Sequence, residues 1–126
     1  LRRIALITRF VVQSKRSDPT KEPDMTFDDH IRHIHPDVLL SRMEAEDLDI
    51  IDIREPHELR ELPFPGARNI PTNLLVMFHD EFLNKDSTYY ILCHHGQRSY
   101  RVTELLQNMG YHVINVIGGI DLVSRV

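Results

Sequence analysis

The chain has 126 residues, with 15 Lys+Arg against 19 Asp+Glu, and one Cys. That length suits one domain with an ordinary core, and a net charge of −4 argues against a broad nucleic-acid-binding surface. The single Cys excludes an internal disulfide framework and a four-Cys zinc site, and it fits a reducing, cytoplasmic setting.

Charge is uneven at the start. Residues 1–17 carry Arg2, Arg3, Arg9, Lys15 and Arg16 and no acid; residues 18–29 carry five acids against Lys21. Ile4 to Val12 is apolar apart from Thr8 and Arg9. It is too short for a membrane span, which needs roughly 20 apolar residues, and no signal cleavage site follows it. Its β-branched content reads as a strand, and residues 13–24 read as a linker. Residues 1–33 are thus expected to be an N-terminal extension: an added edge strand, a remnant of a neighbouring domain, or a docking arm for an acidic partner.

From Ile34 onward the pattern is regular. Pro36 opens a helix ending near Glu46. Leu48 to Ile53 reads as a strand, and Glu55 to Leu62 as a short helix that Pro63, Pro65 and Gly66 break. Asn69-Ile70-Pro71 is extended. Leu74, Leu75, Phe78 and Phe82 sit at helical spacing. Thr88 to Leu92 is a strand. Val102, Leu105, Leu106 and Met109 mark the clearest helix, with Gly110 as its stop. Tyr111 to Ile117 is a further strand, ending at Gly118-Gly119. Strands alternating with helices predict an α/β fold: a mainly parallel central sheet with helices on both faces. In such folds ligands bind beyond the carboxyl ends of the strands.

There stands the only Cys, in Cys93-His94-His95-Gly96-Gln97-Arg98-Ser99, after a strand and ahead of a helix. Successive backbone N–H groups and the helix dipole can converge there on a negative atom, which favours a thiolate. Gly96 lets the loop curl. Arg98 offers a planar donor fork to an oxyanion, and Ser99 can cap the helix or donate to sulfur. A buried structural Cys is the bland alternative, but packing does not require two His, a Gln and an Arg beside it. His94 and His95 read as loop and entrance residues, because the N–H cradle makes a general base unnecessary. A metal reading of Cys93, His94 and His95, or of His30, His33 and His35, is not favoured. Tyr89, Tyr90, Tyr111, Met77, Met109 and Phe64 read as core or helix-face residues, and His57, His79 and His112 as surface or packing residues.

This loop resembles the active-site loop of rhodanese-like sulfurtransferases. Three stretches agree with it: Ile51-Asp52-Ile53-Arg54-Glu55-Pro56-His57-Glu58, Pro65-Gly66-Ala67-Arg68-Asn69-Ile70-Pro71 and Val116-Ile117-Gly118-Gly119-Ile120. The four motifs are in register over about residues 34–123, so residues 34–126 are expected to form a rhodanese-like domain. The sequence departs from the family pattern at Leu62-Pro63-Phe64, where glycine–histidine–isoleucine is common, and after Asp121, where Leu122-Val123 replaces alanine–tryptophan. The resemblance implies that Cys93 is the nucleophile that becomes a persulfide. It implies that His94, His95, Gly96, Gln97, Arg98 and Ser99 bind substrate, chiefly through backbone N–H groups, and that Asp52 and Arg54 are structural supports. The implied reaction moves sulfane sulfur from a small donor such as thiosulfate to cyanide or a thiol, which a protein could carry, with no metal or other cofactor. Two alternatives remain. One is a sulfur-carrier or regulatory module of a larger protein. The other is a Cys-dependent phosphatase or arsenate reductase, whose loop has one residue more between Cys and Arg than the four here.

Overall fold

The computed structural model describes residues 30–126, and residues 31–126 form one compact unit. The strand expected at 4–12 and the linker at 13–24 lie outside the described residues. In chain order the elements are β1 (His33–Ile34), α1 (Pro36–Ala45), β2 (Ile50–Asp52), α2 (Pro56–Glu61), β3 (Arg68–Asn69), α3 (Thr72–Met77), α4 (His79–Phe82), β4 (Thr88–Leu92), α5 (Gln97–Asn108), β5 (His112–Val116) and α6 (Gly119–Val123). The five strands form one sheet in the order β1-β5-β4-β2-β3, and every neighbouring pair is parallel.

The alternation of side chains along a strand builds the two layers. From β4, Tyr89 and Ile91, with Cys93 just beyond, face a layer with Ile51, Leu75, Val102, Leu106 and Val113. Tyr90 and Leu92 face the other, with Leu39, Ile50, Val116 and Ile120. The α3 and α5 helices cover the first layer; α1 and α6 cover the second. A central parallel strand buried on both sides reads as an unbroken apolar run, and Tyr-Tyr-Ile-Leu is one. Tyr89, Tyr90 and Tyr111 are all buried, and Phe64 packs on the second layer as expected.

Several expectations are corrected. The helical spacing from Leu74 to Phe82 is divided between α3 and α4, because Phe78 leaves helical dihedrals at φ −119° and ψ 36°. Breaking there lets both Leu75 and Leu83 reach the same core layer. Leu74 and Met77 stay exposed, so Met77 does not lie on a buried helix face. On α5 the buried apolar positions are Val102 and Leu106, while Leu105 is exposed. His33 lies on β1 and His35 accepts the Asp37 N–H at the start of α1, so His30 and His33 do not share a helix face. His79 packs edge-on against Tyr111 and hydrogen-bonds its hydroxyl at 2.7 Å.

Candidate active site

Cys93 follows the last residue of the central strand, so strand direction alone brings its side chain to the sheet's carboxyl edge. Three residues after it, the backbone must turn sharply into α5. Gly96 makes that turn at φ +96° and stands immediately before the helix. A Cβ at Gly96 would sit 2.8 Å from the Gly118 nitrogen, so a larger residue meets backbone as well as strain. The outcome is a cradle around Sγ. The Gly96 N–H donates to it at 3.0 Å and the Ser99 N–H at 3.3 Å. Ser99 Oγ lies 3.3 Å from the sulfur. Cys93 and Ser99 are almost fully buried.

The loop is held from behind by the last helix. Ile120 N–H donates to the Cys93 carbonyl at 2.8 Å, and Asp121 N–H to the His94 carbonyl at 2.9 Å. These are orphan donors of the first turn of α6, satisfied by the loop rather than by water. Gly118 and Gly119 both have positive φ. A Cβ at Gly119 would collide with the carbonyl oxygens of Cys93 and His94. The double glycine therefore permits the close approach on which the clamp depends.

A second support comes from the end of β2. Asp52 and Arg54 lie on one face of the chain, two residues apart, and neither side chain is exposed. Arg54 Nε donates to Asp52 Oδ1 at 3.0 Å and Nη2 to Oδ2 at 2.8 Å. The Arg54 backbone N–H adds a further bond to Oδ1 at 3.1 Å. Asn69 Nδ2 ties the carbonyls of Asp52 and Arg54 together, each at 2.8 Å. This pinned turn fixes where α2 begins.

The third residue of α2 is Glu58, and it reaches the Cys93 loop. Its carboxylate takes both arms of the Arg98 fork, from Nη1 at 2.9 Å and from Nη2 at 2.7 Å. The Glu55 N–H donates to the same carboxylate at 2.9 Å. These bonds, Arg98's first, hold the Glu58 carboxyl down to about 2 from an ordinary 4.5, against the opposing effect of burial. The same pair raises Arg98, again against burial. His94 Nδ1 lies 3.9 Å from Glu58, His95 Nδ1 lies 3.9 Å from Asp121, and the two imidazoles stack with centroids 4.0 Å apart.

Of the residues named from sequence, Cys93, Gly96 and Ser99 converge on the sulfur. His94 and Arg98 gather at Glu58 on the same loop, whereas His95 and Gln97 are exposed. Asp52 and Arg54 stand at the end of β2, and Arg54 Nη1 points to the Glu58 carbonyl of α2 at 3.5 Å. Glu58 was not among the expected site residues. Its sequence signal was an acid at the third helical position after Glu55-Pro56, a helix-start pattern; its partner stands 40 residues away. Among the described residues, no three His, Cys, Asp or Glu side chains group as metal ligands, and no helix is long and apolar enough to cross a membrane.

With this geometry in view, residues 35–125 match the rhodanese-like domain family. The chain belongs to the rhodanese-like family. A sulfurtransferase of Allochromatium vinosum is 34% identical over 97 residues, covering 75% of this chain and 90% of that protein. The thiosulfate sulfurtransferase GlpE of Vibrio cholerae is 27% identical over 98 residues, covering 77% of this chain and 92% of its own. Among solved structures, a rhodanese-like domain protein from Staphylococcus aureus superposes with a TM-score of 0.68 at 31% identity, covering 74% of this chain and 91% of that one. The rhodanese-like match includes the Asp52-to-Glu58 stretch, the Cys93 loop and the double glycine.

Proposed function

We propose that this rhodanese-like protein is a sulfurtransferase that carries sulfane sulfur as a persulfide on Cys93. The observation that carries the reading is the buried sulfur at the start of α5, facing the N–H groups of Gly96 and Ser99. Donors fixed in place before reaction stabilise negative charge on sulfur without reorganising. The names of the Allochromatium and Vibrio relatives support sulfur transfer, and the Vibrio name supports thiosulfate as one donor.

The chemistry runs in two displacements. The Cys93 thiolate attacks the outer sulfur of thiosulfate; the new S–S bond forms as the old one breaks, and sulfite leaves with the electron pair. Cys93 then carries a persulfide anion. A thiophilic acceptor such as cyanide attacks the terminal sulfur, thiocyanate leaves, and the thiolate is restored. With a thiol acceptor the same step yields a thiol persulfide. Gly96 and Ser99 N–H groups steady the charge at both stages. The buried Asp52–Arg54 pair and the Glu58–Arg98 pair position the loop.

The test is intact mass after incubation with thiosulfate or, separately, with a small alkyl persulfide, on wild type and Cys93→Ser. The wild type should gain one sulfur atom and Cys93→Ser none. Wild-type protein that is folded, has a free thiol and gains nothing from either donor would overturn the reading.

A further inference from the structure

We propose that Glu58 selects the sulfur donor: by filling the Arg98 fork beside Cys93 it disfavours a free inorganic dianion such as thiosulfate and leaves the site to thiol-borne persulfides. This inference rests on the sulfur-transfer reading above and narrows its substrate class.

Arg98 is the only Arg or Lys in the loop from Cys93 to Ser99. It stands between Gly96 and Ser99, the two residues whose N–H groups face the sulfur. A guanidinium there is the obvious ligand for the oxygens of a dianion. Here, both of its arms already end on one carboxylate, in the bidentate form that is strongest for such a pair. Glu58 is itself anchored by the Glu55 N–H, and its side chain is 18% exposed against 41% for Arg98. Capturing a dianion in the same two-armed form would break two charge-assisted bonds. It would also leave Glu58 beside a second negative group. Asp121 adds another carboxylate on the far side of the stacked histidines.

A thiol persulfide does not need the fork. Its reacting sulfur is borne on a carbon chain and carries at most one negative charge, and the Gly96 and Ser99 N–H groups can meet that charge. The step is balanced: the Cys93 thiolate attacks the outer sulfur of RS–SH, the Sγ–S bond forms, the RS–S bond breaks, and RS⁻ departs with the electron pair. The proton stays on the transferred sulfur, and no external oxidant or reductant is required.

The experiment follows persulfide loading of the full chain by intact mass, at varied concentrations of thiosulfate and of the persulfide of 2-mercaptoethanol. In Glu58→Gln, which keeps an acceptor for the Glu55 N–H, the half-saturating thiosulfate concentration should fall about fivefold, as expected for loss of one partly exposed opposing charge. The value for the alkyl persulfide should shift less than that for thiosulfate, since no charged pair forms with it, and the ratio between the two donors is the readout. Equal shifts for both donors, or a rise for thiosulfate, would overturn the proposal by showing that Glu58 only supports the loop or helps Arg98 receive the dianion. A wild-type measurement guards against a variant that fails to fold. Sulfate should leave loading from the alkyl persulfide unchanged, and competitive inhibition by sulfate would refute the occupied fork. If wild type loads from neither donor, the sulfur-transfer reading fails and this inference falls with it. If it loads from both and the Glu58→Gln ratio does not change, only this inference falls.

Discussion

Arg54 is the largest side chain that is fully buried among the described residues. A guanidinium so placed is tolerable because Asp52 meets it through three N–O contacts of 2.8 to 3.2 Å, and because its remaining arm points to the Glu58 carbonyl at 3.5 Å. Desolvating two charges costs much of what their attraction returns, so the pair is better viewed as fixing a geometry than as adding stability. Removing one partner is a different matter, since it strands the other charge in the interior. Arg54→Met should therefore lower unfolding free energy by about 3–5 kcal/mol. Urea denaturation is the measurement, with Asp52→Asn/Arg54→Met expected to lose less than the single variant. A single-variant loss below about 1 kcal/mol would mean that Asp52 is not stranded when its partner goes. Cys93 is the contrasting residue: equally buried, yet bonded chiefly to backbone, so its sulfur can change chemical state without leaving a charge unpaired.

At the scale of elements, α6 is five residues long and contributes as much to the site as the longer α5. Its opening glycines bring two N–H groups onto the carbonyls of Cys93 and His94. Gly119→Ala places a side chain at positive φ and against those carbonyls. The left-handed conformation alone costs a non-glycine residue about 1–2 kcal/mol, and relief of the clash must move the loop. Sulfur loading of Cys93 should fall at least about tenfold, as a displaced nucleophile would dictate, together with a lower unfolding temperature. Unaltered loading in a folded Gly119→Ala protein would show that the clamp is not needed. Elements whose signals were local could be read in the sequence. Thr88–Leu92 was marked by its apolar run, and α5 by Val102 and Leu106 with Gly110 after it. The Cys93 cradle was legible for the same reason, since strand, glycine and helix start are contiguous. The break at Phe78 was not, because the helical spacing continues through it and only the path to Leu83 requires it. Nor was the role of Glu58, whose partner is supplied by topology rather than by spacing.

That topology acts on the whole molecule. The order β5-β4-β2 at the middle of the sheet sets three carboxyl ends side by side, where ligands bind in open parallel sheets. One end supplies the double glycine, one the Cys93 loop and one the turn into α2. The Glu58–Arg98 pair is the polar tie between the second and third, and it makes stability depend on pH in a defined direction. Folding moves the Glu58 carboxyl from an ordinary 4.5 down to about 2, chiefly through Arg98. A carboxyl depressed in the folded state contributes stability that is complete above its unfolded value and is lost as pH falls through its folded value. The contribution is modest, because Arg98 is 41% exposed and water screens the pair. The difference in unfolding free energy between wild type and Glu58→Gln should hence be constant above about pH 5 and shrink as pH falls from 4.5 toward 2. Chemical denaturation at a series of pH values measures it. A difference that persists unchanged through that window would mean the carboxylate's charge is not what binds α2 to the loop.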